Sequence, residues 1–373
     1  MLKLKCEDTD VKLLIDEQER LSMLFTGGSR MGKTYLVSLL GELLIRQGYI
    51  VHMIDLGMKW TEKDRRKIKD GGGYTRSVAL EKVVLSFPSG KSLMGCSKYM
   101  LDALGLHSSY GIVCVRNIFI ELIEEQEVFC LKHVAERLKG RIGEDEHAAR
   151  CYERFGMVED MPDVWFQINE EKAIEDAGIS MVWDLDGLEN SHVQVVTQLI
   201  LYWLLCSQRS RIKSKAVKKK IFAIVDEFQN MDCSQRSIIG VCLTEGQKYN
   251  MFLMLITQFV QGKFSEAVIN QFKQGGFRFY FRLSEEEAAD VSRKLAKNTE
   301  ERKLLYSRLI NLPTGCCLML GRHTLGEGNV IYESPRFVKV IDEEGRGSKM
   351  VSGNKGRSCE KKIFCKRAIC KSD

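Results

Sequence analysis

Short, nearly continuous apolar runs alternate along this chain with longer stretches in which apolar residues recur at helical spacing. The runs at 21–26, 49–55, 180–185, 221–226, 252–257, 277–283 and 316–320 read as strands. Several are apolar at every position, as strands are when helices cover both faces of a sheet. Segments 33–47, 192–207, 234–249 and 284–297 carry helical periodicity and follow these runs. Strand and helix in alternation predict an α/β fold with a mainly parallel central sheet. Two further short strands are expected at 329–333 and 336–341.

Between 88 and 177 the pattern changes. FIELIEEQEVFCLKHVAERLKGRI and EHAARCYERF have helical periodicity and no strong strand signal, which predicts an all-helical subdomain inserted into the α/β core. The expected organisation is a lead-in at 1–20, a core built from 21–87 and 178–342, the insertion at 88–177, and a tail at 343–373. Glycines 71–73 and the region around Pro88 mark loops near the entrance of the insertion. The tail is rich in Gly, Ser, Lys and Arg without apolar periodicity, and is expected to be disordered.

With 373 residues, 44% apolar and 28% charged, the chain has the composition of an ordinary soluble protein. No apolar run reaches the ~18–20 residues of a transmembrane helix. The N-terminal MLKLKCEDTD lacks the apolar stretch of a signal peptide. The 13 cysteines are odd in number, scattered, and form no C-x-x-C pair. They read as the reduced thiols of a cytoplasmic protein. Cys359, Cys365 and Cys370 in the tail are too loosely spaced to hold zinc without help from a partner. The net charge of +6 is uneven: 345–373 holds nine Lys/Arg and two acidic residues, a net of +7, which leaves −1 for the rest. Such a tail suits a phosphate backbone or an acidic surface, or is a solvated end. A second basic stretch, 209–220, has seven Lys/Arg in twelve residues; it is either a solvated loop or a nucleic-acid contact. There is no H-E-x-x-H and no G-x-S-x-G, so zinc-protease and serine-hydrolase signatures are absent.

Gly27 to Thr34, GGSRMGKT, fits G-x-x-x-x-G-K-[ST], the phosphate-binding P-loop. It lies between the apolar run LSMLF and the helical segment TYLVSLLGELLI. Glycines let backbone N–H groups approach a triphosphate closely, and the N-terminal end of the following helix favours the same anion. Gly27, Gly28, Ser29, Arg30, Met31 and Gly32 are the candidate cradle. Lys33 is the candidate contact to the β- and γ-phosphates, and Thr34 the hydroxyl ligand of Mg²⁺. The expected ligands are therefore ATP and Mg²⁺. The run IFAIVDEF ends in Asp226 and Glu227. Asp226, at a strand's carboxyl end, can hold the magnesium ion through water, and Glu227 can polarise the attacking water. Gln258, ending the next run, either senses the γ-phosphate or the lytic water, or makes a strand-end hydrogen bond. Arg278 and Arg282 share one face of the expected strand 277–283. One of them can complete a neighbour's site as an arginine finger, with salt bridging within the domain as the alternative.

The order of segments in the second half carries a resemblance. IFAIVDEFQN is followed by a helix ending EGQKYNMFLMLITQ, then by VINQFKQGGFRFYFRLS and LPTGCCLMLG. This resembles the FtsK/HerA superfamily of P-loop motors, which includes DNA translocases, conjugative coupling proteins and type IV secretion ATPases. MVWDLDGLENSHVQVVTQLILYWLL and the inserted helices resemble the HerA-like and secretion branches. The resemblance implies a RecA-like ATPase core, with Lys33 and Thr34 as the phosphate and Mg²⁺ contacts. It makes Asp226 the magnesium ligand, Glu227 the catalytic carboxylate and Gln258 the sensor. It implies a homo-oligomer, a hexameric ring acting on double-stranded DNA, each site completed by a neighbour. Gln247 stands where relatives often have a basic residue, which leaves the trans-acting arginine to Arg278 or Arg282. Neither the membrane segment of coupling proteins nor the N-terminal barrel of HerA is expected from the short lead-in. The expectation is a bare cytoplasmic motor recruited by a membrane or nuclease partner. Its expected function is ATP-driven DNA translocation in a mobile-element or conjugation-like transfer system. A secretion-type ATPase acting on protein, and a nucleotide-gated assembly switch, stand as alternatives.

Overall fold

The computed structural model describes residues 3–6, 9–15, 21–55, 74–79, 82–156, 161, 164–214, 219–259, 270, 276–326 and 331–341. In chain order the first elements are β1 (Lys3–Cys6), β2 (Thr9–Leu13), β3 (Met23–Thr26), α1 (Lys33–Arg46), β4 (Ile50–Asp55), β5 (Tyr74–Ser77) and β6 (Val83–Phe87). Then come α2 (Gly90–Met94), α3 (Cys96–Ala103), α4 (Ser109–Glu125), β7 (Val128–Cys130), α5 (Leu131–Gly140), α6 (Glu146–Phe155), β8 (Val164–Ile168) and α7 (Glu170–Asp176). They are followed by β9 (Met181–Asp184), α8 (Asn190–Lys213), β10 (Ile221–Val225), α9 (Ile238–Glu245), β11 (Met251–Thr257) and β12 (Phe277–Tyr280). The last are α10 (Glu285–Leu295), α11 (Thr299–Ile310), β13 (Cys316–Leu320), β14 (His323–Leu325) and β15 (Arg336–Ile341).

One large sheet runs in the order β14-β2-β1-β15-β13-β12-β3-β11-β10-β4-β9-β5. From β12 to β5 every neighbouring pair is parallel. From β12 outward through β13, β15, β1, β2 and β14 every pair is antiparallel. The parallel part is buried on both faces by simple alternation. Phe222 and Ile224 of β10 face α1, while Ile221, Ala223 and Val225 join the core on the opposite side. On the α1 side Phe25 and Phe279 stack with ring centroids 4.8 Å apart. α1 stops at Gly48, whose φ of +85° lets its N–H reach Ile45 O and the Tyr49 N–H reach Leu44 O. That left-handed glycine stop is the usual end of such a helix.

The opposite face is covered by α8, which is buried around most of its circumference, with an apolar middle stretch from Leu199 to Cys206. Trp203 on α8 donates from Nε1 to Ser86 O of β6 (2.8 Å) and packs edge-on against Trp183. A separate cluster under α10 and α11 joins Tyr280, Leu283, Leu305 and Leu309 to Leu318 and Leu320.

Two expectations are corrected. The insertion is not all-helical: β7 and β8 lie within it and pair with β6 in a second sheet, order β6-β8-β7. The inserted segment shares a core with α8. Phe87, Phe119, Phe129 and Phe166 form an aromatic cluster continuous with Tyr202 and Trp203 of α8. The lead-in, expected to carry no element, supplies β1 and β2, with Leu4 opposite Val340 in the antiparallel wing. Helix α11 was also unread. Of the two late strands, Arg336–Ile341 is present; in the other, residues 329 and 330 lie outside the described residues, and Tyr332 forms an isolated bridge to His323. The tail lies outside the described residues.

Candidate active site

Four adjacent parallel strands, β12, β3, β11 and β10, end at the same edge of the sheet, and each delivers one part of the site there. Open α/β sheets place ligands beyond the carboxyl ends of their strands, where loops and helix N-termini converge.

From β3 the chain enters the loop Gly27–Gly32 and then α1. Gly27, Arg30 and Gly32 have φ of 139°, 59° and 102°, the left-handed backbone from which curled anion-binding loops are built. A Cβ on Gly27 would lie 2.8 Å from the Phe281 Cβ and 2.9 Å from Arg282 O; on Gly32 it would lie 3.4 Å from the Gly315 Cα. The loop is pinned from outside. Gly28 N–H donates to Arg282 O (2.8 Å), and Gly315 N–H donates to Met31 O (3.0 Å). Lys33, 7% exposed, opens α1, and its Nζ donates to Gly27 O (2.5 Å) and Gly28 O (2.8 Å). The ammonium is thus held within the curve of the loop. Thr34 follows on the same first turn and is half-buried.

At the end of β10, Asp226 is 3% exposed and its Oδ1 accepts the Glu227 N–H (2.8 Å). Glu227 has φ 45° and ψ 34°. Left-handed backbone at a non-glycine costs about 1–3 kcal/mol and persists where the surroundings enforce it. Here Asn230 N–H donates to Glu227 O, Met231 N–H donates to Phe228 O, and the Phe228 ring is fully buried. The Glu227 carboxylate accepts the Gln258 amide N–H on Oε1 (3.0 Å) and Oε2 (3.2 Å), and a further N–H from Gln229. Gln258, from the end of β11, turns its Oε1 to the hydroxyl of Ser29 (3.2 Å). A hydrogen-bonded chain Ser29–Gln258–Glu227–Gln229 therefore ties the phosphate loop to the acidic pair.

The two arginines take different surroundings. The strand expected to run to residue 283 ends at Tyr280, because the chain then crosses the loop through Phe281 N–H to Thr26 O and Gly28 N–H to Arg282 O. Arg278 stays in the sheet, opposite Leu320 of β13 and two residues from Tyr280, whose ring packs in the cluster under α10. Arg282 flanks the loop, and its Nε donates to Leu312 O (2.9 Å). The basic stretch before β10 lies at the opposite edge of the sheet. Arg209 pairs with Glu245 (2.7 Å) and covers Tyr249, Arg211 donates to Ile174 O, and Lys220 lies over Tyr49; residues 215–218 are outside the described residues.

The residues fit the ligands expected from the sequence. Two glycines clear the backbone for close approach, a buried ammonium faces the cradle, and Thr34 and Asp226 offer the hard oxygen donors that magnesium takes. Two features escaped sequence reasoning. Gln229 is one polar residue among several after the acidic pair, and nothing in the pattern marks it as buried. Nothing in the segment LPTG marks Gly315 as the residue that seals one side of the P-loop.

No protein-family profile matches this chain, and no curated protein sequence matches it. Solved structures do match. VirB4 of Thermoanaerobacter pseudethanolicus superposes with a TM-score of 0.57 at 14% identity, over 86% of this chain and 89% of that one. The bacterial conjugative coupling protein TrwBdeltaN70 gives 0.59 at 12% identity, over 90% and 88%. TrwB in complex with ADP and Mg²⁺ gives 0.58 at 12% identity, over 88% and 86%. The chain therefore has the RecA-like fold of VirB4 and TrwB, the fold that its resemblance to the FtsK/HerA superfamily implied.

Proposed function

We propose that this chain is an ATP-hydrolysing DNA translocase of the FtsK/HerA type, working as a homo-oligomeric ring, a hexamer, in a conjugation-like or mobile-element transfer system. The observation that carries the nucleotide reading is the hydrogen-bonded chain from Ser29 through Gln258 to Glu227, with Lys33 held inside the same loop. Lys33 leaves the Gly27 and Gly28 carbonyls for the β- and γ-phosphates, and backbone N–H groups of the loop hold the remaining phosphate oxygens. Thr34 and Asp226 are the residues that would hold Mg²⁺, which when bound would neutralise charge on the phosphates. Glu227 accepts a proton from, or orients, the attacking water, and Gln258 reports the state of the loop to it. Arg282 is the arginine that the fold brings beside the loop. The reading of ATP and Mg²⁺ is supported by TrwB, a coupling protein of the same fold determined with ADP and Mg²⁺. A ring of motors needs each site completed by a neighbour, and a membrane or nuclease partner recruits it.

The test is the ATPase rate with and without double-stranded DNA, at low and moderate salt, with Lys33→Ala as the blank. Salt-sensitive stimulation absent from the blank supports the motor reading, since phosphate contacts dominate such binding. Lys33-dependent turnover indifferent to DNA would move the reading to an ATPase acting on protein, or to an assembly switch.

A further inference from the structure

We propose that Gln229 is a positioning residue for hydrolysis: its amide N–H, delivered from the buried turn after β10, sets the orientation of the Glu227 carboxylate. The inference rests on the reading of Glu227 as the group that orients water.

Gln229 is 6% exposed, and its Nε2 donates to Glu227 Oε2. Its Oε1 is buried with no hydrogen-bond partner among the described residues. A buried amide oxygen without a partner is destabilising, and an apolar side chain of similar volume would fill the same space without that cost. Packing alone therefore argues against glutamine here. The half of the amide that has a partner is the N–H, and that partner is the carboxylate of Glu227.

Two amides reach Glu227, and the fold gives them different duties. Gln258 comes from another strand and is shared with Ser29 of the phosphate loop, so its geometry follows the loop. Gln229 lies two residues beyond Glu227, on the single 3-10 turn Phe228–Asn230. It moves with Glu227 and holds the carboxylate whatever the loop does. The left-handed backbone at Glu227 projects the carboxylate from that turn, and a side chain projected from a strained turn needs a local restraint to keep its aim.

The experiment compares Gln229→Met and Gln229→Leu with the unsubstituted protein in steady-state ATP hydrolysis, thermal unfolding, and a double-mutant cycle with Glu227→Gln. The expected result is a kcat lowered about tenfold with KM within about twofold. The thermal midpoint should be unchanged or raised, since an orphaned polar atom is removed. In the Glu227→Gln background the Gln229 substitution should add no further loss, because its only route to the chemistry is gone. Unchanged kcat, a loss seen in KM alone, additive losses, or destabilisation of both variants would each overturn the proposal and return Gln229 to the fold. Full turnover in Glu227→Gln alone would overturn the reading of Glu227 and Gln229's role with it. Lost turnover in Glu227→Gln with unchanged Gln229 variants would sink only the role of Gln229.

Discussion

Lys33 and Glu227 carry the sharpest residue-scale expectations. Lys33→Ala removes the charge within the loop and should lower turnover at least ~100-fold, read by phosphate release. Glu227→Gln should keep nucleotide binding and lower kcat by roughly 10²–10³, the usual contribution of a positioned base; nucleotide titration beside turnover separates the two effects. His52, remote from this chemistry, controls a pH response. Its Nε2–H donates to Ala177 O (3.2 Å) and its Nδ1 accepts the Trp183 indole N–H (3.2 Å), so both ring nitrogens are satisfied in the neutral form. Burial, with the Arg211 charge nearby as a smaller cause, lowers its pKa from 6.5 to about 4. Between those values the unfolded chain binds a proton at His52 and the folded chain does not. Stability from this residue is therefore present above pH 6.5 and declines as pH falls toward 4, by roughly 3 kcal/mol in all. The check is the His52 ring signal in NMR, which should remain that of neutral imidazole at pH 5.

At the scale of elements, α8 joins the large sheet to the inserted segment. Trp203→Phe leaves the Ser86 carbonyl without its buried donor and should cost about 1–3 kcal/mol, measured by urea unfolding. The P-loop has as little slack. Gly27→Ala would push a methyl group against Phe281 and Arg282 O at a φ of +139°, so both thermal stability and nucleotide affinity should fall. The core strands were readable because each is an uninterrupted apolar run bounded by polar turns. β7 is only three residues long and β8 alternates buried and half-buried positions, so neither stands out from the amphipathic helices around it. β5, with Tyr74 63% exposed, has no apolar signal at all; its pairing with β9 makes it a strand.

For the whole molecule, electrostatics give the testable statement. The segment 345–373 carries a net charge of +7. Deleting it should weaken DNA binding and make the slope of log affinity against log salt shallower; fluorescence anisotropy over a salt series reads both. An unchanged slope would mean that this segment makes no phosphate contacts. The fold neutralises part of the other basic stretch, since Arg209 and Arg211 are spent on Glu245, Tyr249 and Ile174 O. Charge runs in sequence do not reveal which members already have partners.

The sequence by itself determined the alternating α/β core, the P-loop and the positions of Asp226, Glu227 and Gln258, because strand burial, glycine freedom and strand-end carboxylates are written in local patterns. Tertiary structure alone decided that Gln258 bridges Ser29 to Glu227, that Gln229 turns its amide onto the same carboxylate, and that Arg278 and Arg282 part company. It alone placed β1 and β2 in the sheet beside β15 and made the inserted segment share its core with α8. These features depend on contacts between residues far apart in the chain, or on one buried side chain's direction, and neither leaves a periodic mark in the order of amino acids.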